Sequence, residues 1–304
     1  MLLFIGSTVA DVVLHTPRLP ATGDDLNLSG QSVSLGGCAY NAYAAARLLG
    51  AEATLFSPVG SGIWGDWVRR ALAERGIATA IPPVEEPNGC CYCLVEPDGE
   101  RTFLCEHGAE YRFRRPWLDA LDPTAFSCVY LCGLEVEEPT GTVLLDWLEA
   151  HPPRRLYFAP GPRICHIPPP RMARLMALHP LLHLSEAEAA AFTREDAPEA
   201  AASLIHSVSG GDVVITLGSR GAYLRGASGA WTAPAQAVTV ADTIGAGDAH
   251  IGALMACEAA GIPLSDALVH ANHLAAAVVS QHGATLSPAA WQAWQANHPI
   301  PCKE

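Results

Sequence analysis

Short apolar runs alternate with amphipathic stretches along most of this chain. Leu2 to Gly6 is apolar and ends in small residues, the mark of a strand buried on both faces. Val9 to Leu14 is a second apolar stretch, and Leu26 to Leu35 alternates polar with apolar as a half-exposed strand does. Ala42 to Leu49 reads as a helix stopped by Gly50, Ala53 to Val59 as a strand, and Asp66 to Glu74 as a helix. Cys90 to Val95 and Arg101 to Cys105 flank Pro97-Asp98-Gly99, a hairpin signal. Strands are then expected at Cys128 to Leu131, Leu156 to Phe158, Leu181 to Leu184 and Val213 to Leu217. Helices at Val143 to Glu149, Arg171 to Leu178 and from Ser185 to Phe192 separate them. Trp231 to Val240 reads as a β-like run, the helix after it reaches about Ala260, and Asp266 to Gln281 is a long apolar helix. Strands alternating with helices predict a doubly wound, mostly parallel sheet, with ligands at the strands' carboxyl ends.

Composition narrows the function. A chain of 304 residues, half of them hydrophobic, can bury a sizeable core in one large domain or two smaller ones. A formal charge of −13 argues against a nucleic-acid or anionic-membrane surface. No apolar run reaches the ~18 residues a membrane helix needs. Ten cysteines do not imply a disulfide scaffold here, because no charged leader with a cleavage site precedes the first strand. A reduced, cytoplasmic protein is the expectation. The one lysine is Lys303. A Walker loop, a protein-kinase strand lysine and a Schiff-base lysine are therefore all excluded.

The candidate chemistry sits in Asp242-Thr-Ile-Gly-Ala-Gly-Asp248, between the β-like run and the small-residue helix. A turn holding Gly245 and Gly247 before a helix aims free N–H groups and the positive dipole end at one spot, which suits a phosphate. Asp248 beside such a cradle suggests a base. Gly36-Gly37 before a helix lets a ligand approach the backbone, and Asn41 is an unusual choice in that alanine-rich helix. Asp11 is either a turn carboxylate or an acceptor for ligand hydroxyls. Ser185 and Glu188 form a capping box, which explains both without a function. Gly60-Ser-Gly-Ile-Trp-Gly65 matches a dinucleotide fingerprint, but it lies behind a complete strand and helix, and prolines spoil the strand that should follow. Cys90, Cys91, Cys93 and Cys105 lack zinc spacing and read as core or interface residues.

With these pieces in place the chain resembles the ribokinase-like carbohydrate kinase family, the phosphofructokinase-B superfamily. The motifs that carry this are Asp242 to Asp248, Gly36-Gly37 with Asn41, Thr216-Leu-Gly-Ser-Arg-Gly-Ala222, and Gly6-Ser7 with Asp11. The resemblance implies one three-layer α/β/α domain over 1–304 with a β lid formed by about 14–35 and 89–106. It implies ATP with Mg²⁺ as phosphoryl donor and a hydroxyl of a sugar or nucleoside, usually a primary one, as acceptor. Asp248 becomes the general base, with Gly245, Ala246 and Gly247 as the anion hole. Asp11, Gly36, Gly37, Asn41 and Glu135 would hold the acceptor. Thr216, Gly218, Arg220 and Gly221 would lie along the nucleotide, with Asn272 or His273 nearby, and Glu188 would order Mg²⁺ through water. Asp242, Ile244, Gly283 and Ser287 look like a loop for K⁺ or another monovalent cation. A homodimer through the lid is a further expectation.

The chain departs from the family pattern at several places. Gly62 stands where an Asp is usual, Ser185 replaces the Asn of an Asn-x-x-Glu, Ala159 replaces an Asp, and His250 stands where an aromatic is common. Two other functions compete: a kinase-like binding protein without turnover, and a nicotinamide-dependent oxidoreductase using the 60–65 glycines.

Overall fold

The computed structural model describes residues 1–298. Among these described residues twelve strands form two sheets. They are β1 Leu2–Ile5, β2 Val9–His15, β3 Gly30–Gly36, β4 Ala53–Phe56, β5 Cys90–Val95, β6 Arg101–Glu106, β7 Cys128–Cys132, β8 Arg155–Ala159, β9 Leu181–Ser185, β10 Val213–Thr216, β11 Ala222–Gly226 and β12 Gly229–Ala233. The main sheet runs β12-β11-β10-β9-β8-β7-β1-β4. From β10 to β4 all neighbours are parallel, and β11 and β12 add an antiparallel edge.

Buried parallel strands demand apolar residues on both faces, and β1 supplies them. Phe4 packs with Tyr40, Tyr130 and Leu254 on one side, while Leu3 and Ile5 pack with Leu145, Trp147 and Phe158 on the other. The two cores make three layers, as expected from the alternation of strands and helices.

The helices Cys38–Leu48 and Ala246–Ala259 lie side by side in the first core. A Cβ at Gly252 would come within 2.3 Å of the Ala42 carbonyl oxygen, so the glycine permits this close contact. That approach later decides where Asn41 and Asp248 meet.

The second sheet, β3-β2-β5-β6, pairs β2 with β5 in parallel and is otherwise antiparallel. It begins at Val9, ahead of the boundary read from the sequence, because β1 turns directly into it through Gly6-Ser7-Thr8. Asp11, Cys91 and Cys105 lie abreast on β2, β5 and β6, with the two sulfurs 3.3 Å apart. The described cysteines are all free thiols.

The β-like run expected to reach Val240 stops at Ala233, where Pro234 removes a ladder donor. Residues 234–245 instead form an irregular segment, and Val238 and Val240 line a cavity. Lys303 lies outside the described residues.

Candidate active site

Asp248 sits in the first turn of the helix Ala246–Ala259, whose N-cap, Gly245, is left-handed at φ 75°. The opening N–H groups of such a helix lack intrahelical partners and point outward with the positive end of the dipole. Burial pushes the Asp248 carboxyl up to about 6, against hydrogen bonds from Asn41 and Cys38 that pull it down; the Glu188 charge adds to the rise. Asn41 Nδ2 donates to Asp248 Oδ2 at 2.9 Å. Two motifs far apart in sequence therefore meet at one carboxylate.

Asp11 faces the same region from β2. Burial first, then the Cys105 and Asp248 charges, push its carboxyl up to about 7. Gly36, two residues along β3 from Asp11's register partner Ser34, leaves the space this carboxylate fills: a Cβ there would lie 1.8 Å from Asp11 Oδ2. Gly37 is the N-cap of the helix carrying Asn41. Glu135 is fully buried behind this group, and its Oε1 accepts the Ser7 N–H at 2.8 Å. That bond fixes the turn between β1 and β2, while Glu135 Oε2 is buried with no hydrogen-bond partner.

A cavity of about 580 Å³ opens on the other side of the 245–247 turn. Its wall includes Thr216, Gly218, Gly221, Ala246, Gly247 and Asn272. Five more, Val238, Val240, Ala275, Ala276 and Val279, give it an apolar flank. Asn272 Nδ2 donates to the Ala233 and Pro234 carbonyls at 2.9 and 3.1 Å, so it buckles the irregular segment to the wall. His273 turns away from the cavity, between Gln236 Oε1 at 2.6 Å and the Trp294 indole N–H at 3.1 Å. Arg220 is bound to both oxygens of Glu186 at 2.5 Å and is more than half exposed, so it does not point at the cavity.

Glu188 closes the Ser185 capping box: its Oε2 accepts the Ser185 N–H at 2.9 Å, and Ser185 Oγ accepts the Glu188 N–H at 3.3 Å. Burial raises its carboxyl, and its charge reaches Asp248. One carboxylate near the cradle fits Mg²⁺, a hard cation that keeps several waters and takes phosphate oxygens as ligands.

The four residues read as a monovalent-cation loop are arranged differently. Asp242 Oδ1 accepts the Ile244 N–H at 2.7 Å, and Oδ2 accepts the Gly283 N–H at 3.0 Å. Ser287 Oγ accepts the Ala290 N–H as a helix cap. The Arg101 guanidinium, from β6, lies 2.9 Å from Asp242 Oδ1. With its charge already met by a guanidinium, Asp242 does not fit a further cation.

The first two N–H groups of the Gly60 to Gly65 turn are already engaged. Gly60 N–H goes to Asn88 Oδ1, Ser61 N–H to the Glu86 carbonyl, and the Gly60 carbonyl accepts Arg69. This packing removes two of the donors that the dinucleotide reading needs.

Sequence reasoning missed Arg101 as a partner of Asp242, and also a buried pair, His183 Nε2 and His250 Nδ1 at 2.9 Å. Burial pushes His250 down to about 4, so it lines the cavity as a neutral ring. No periodic signal connects these residues; only the crossings between β9, β6 and the helix after Asp242 do.

Comparison with known proteins bears on the family and the fold. The pfkB family carbohydrate kinase profile matches residues 1–291. The uncharacterized sugar kinase YegV of Escherichia coli (strain K12) is 36% identical over 290 residues, covering 94% of this chain and 90% of the relative. The ribokinase of Schizosaccharomyces pombe is 28% identical over 304 residues, covering 94% of each. Among solved structures, a ribokinase from Thermotoga maritima superposes with a TM-score of 0.81 at 20% identity, over 97% of this chain and 99% of that one. A ribokinase from Cryptococcus neoformans var. grubii, solved with ADP, gives 0.78 at 21% identity, over 98% and 99%. The main sheet, its flanking helices and the smaller sheet are thus the ribokinase-like fold, and the chain belongs to the pfkB family of carbohydrate kinases.

Proposed function

We propose that this kinase transfers the γ-phosphoryl group of ATP to a primary hydroxyl of a neutral sugar or nucleoside, with Asp248 as general base. One observation carries the reading: the Asp248 carboxylate, held by Asn41, stands in the first turn of a helix whose N-terminus opens onto a nucleotide-sized cavity.

The acceptor hydroxyl lies between Asp248 and Asp11. Asp248 takes its proton late, as the oxygen attacks phosphorus in a loose transition state. The oxygen–phosphorus bond forms, the bridging oxygen leaves with ADP, and the N–H groups of Gly245, Ala246 and Gly247 balance the charge on the transferred group. A carboxyl at about 6 is a stronger base than an ordinary aspartate yet is still ionised at neutral pH. Glu188 would hold Mg²⁺ through water, and the metal supplies neutralisation of phosphate charge. Thr216, Gly218 and Gly221 line the phosphate side of the nucleotide, and the valines and alanines take its base. Asp11, shaped by Gly36, accepts further acceptor hydroxyls, with Gly37 and Asn41 beside it. The β2-β3-β5-β6 sheet closes over them as a lid, within a single domain.

Three arginines near this side are already engaged, which disfavours an anionic acceptor. Arg163 Nε donates to Glu137 at 2.7 Å, Arg171 donates to three carbonyls at 2.6–2.9 Å, and Arg101 meets Asp242. Asp11 and Asp248 add negative charge.

The test mixes protein, Mg²⁺, ATP and a panel of neutral pentoses, hexoses and nucleosides, and follows ADP release. ADP that depends on one acceptor supports the reading. Acceptor binding without ADP release would favour the binding protein, and tight NADH binding without ATP binding would favour the oxidoreductase.

A further inference from the structure

The Asp242 carboxylate ties two loops together. Through Ile244 N–H it folds the 242–247 turn, and through Gly283 N–H it fastens that turn to the loop after the helix Leu264–Val279. The 242–247 turn ends in the residues whose N–H groups face the phosphoryl group. Any slackness at Asp242 therefore moves the anion hole.

Asp242 is 8% exposed, and a buried carboxylate needs a countercharge. Arg101 supplies it from outside the main sheet. Its guanidinium reaches Asp242 Oδ1 at 2.9 Å and Thr243 Oγ1 at 3.4 Å, residues some 142 positions away in sequence. Arg101 opens β6, directly after the Pro97-Asp98-Gly99 hairpin, and pairs in register with Val95 on β5. The guanidinium can occupy this place only while the smaller sheet lies against the main one. A small cation at the same carboxylate would face the guanidinium at close range and be repelled. Of the other three residues read as cation ligands, two point their N–H groups at Asp242 and the third caps a helix.

We propose that Arg101 is a positioning residue: its guanidinium takes the place of the monovalent cation at Asp242 and makes ordering of the anion-hole turn depend on lid closure. This rests on the kinase reading for its catalytic consequence, but not for its binding consequence. The wild-type enzyme should then work equally in potassium, sodium and tetramethylammonium chloride, since no small cation is needed. Removing the guanidinium should leave a buried carboxylate that a small cation can neutralise.

The experiment uses wild type, Arg101→Ala and Arg101→Lys, at constant ionic strength in each of the three salts. Wild type is expected to keep the same kcat within about twofold across the salts. Arg101→Ala should lose about 10- to 100-fold in kcat in tetramethylammonium, with KM for ATP changed less, as for loss of a charge-assisted contact that orders a transition-state site. Potassium, or added guanidinium, should restore at least about fivefold of it, and Arg101→Lys should lie between. Thermal melting gives a readout without any acceptor: potassium should raise the Tm of Arg101→Ala and leave wild type unmoved. Strong activation or thermal stabilisation of wild type by potassium would overturn the proposal. So would an Arg101→Ala enzyme with wild-type kcat in every salt. If no acceptor is ever found, the kinase reading fails while the melting comparison still decides for or against the Arg101 site.

Discussion

The base should cost the fold stability, and Asp248→Asn should release it. The folded carboxyl titrates at about 6 against 3.8 for an ordinary aspartate, mainly because it is desolvated. Below pH 3.8 the group is protonated whether the chain is folded or not, and it favours neither state through charge. Between 3.8 and about 6 the unfolded chain ionises and the folded one resists, so stability falls as pH rises through that window. Above it the full cost is in place. At about 1.4 kcal/mol per pH unit the cost is about 3 kcal/mol, and solvent at the cleft reduces it to about 1–3 kcal/mol. Asn is isosteric, carries no charge and can still accept from Asn41 Nδ2. Thermal melts of the two proteins should therefore separate at pH 8, with the variant higher by a few degrees, at about 2–4 °C per kcal/mol. The gap should close by pH 4. A variant that melts lower at pH 8, or a gap that does not shrink on acidification, would refute burial as the cause of the raised carboxyl.

Two further predictions separate neighbouring roles. Gly36→Ala places a methyl on the Asp11 carboxylate, which must rotate away. KM for the acceptor should rise by about tenfold or more while KM for ATP holds, as for loss of one substrate-positioning contact of about 1.4 kcal/mol; steady-state kinetics with each substrate varied checks it. Ser185→Ala removes the cap at the Glu188 N–H. It should cost about 1 kcal/mol of stability and leave the Mg²⁺ dependence of turnover unchanged, which denaturant melts and a Mg²⁺ titration measure.

The parallel sheet was legible because buried parallel strands leave continuous apolar runs, and Leu2–Ile5, Cys128–Cys132 and Val213–Thr216 show them plainly. The anion-hole turn was legible because its glycines, its acid and the helix start are consecutive in the chain. The strand reading of 231–240 failed where valine alternation met Pro234, and the valines turned to a cavity instead of a neighbouring strand. Glu135, an acid after a strand, reads like a ligand residue; its complete burial and its bond to the Ser7 N–H, which fixes the β1–β2 turn, were not legible from local pattern. Arg220 precedes a glycine in a phosphate-like turn, but Glu186, at the start of the helix after β9, takes its charge. Such pairings depend on which strand crosses beside which, and no local pattern encodes that. Arg101 belongs to the same class: its partner Asp242 comes from the irregular segment that follows the main sheet's last strand.

The central claim is that Asp248 accepts the acceptor's proton beside the 245–247 cradle. The most direct measurement compares acceptor-dependent ADP release by wild type and Asp248→Asn across pH, with ATP binding followed in parallel. Wild-type kcat/KM should fall as pH drops through the region of about 6 to 7, where the two facing carboxyls take up protons. The variant should bind ATP as wild type does yet turn over about 10²- to 10⁴-fold more slowly. A variant with near-native turnover and the same pH profile would contradict the assignment.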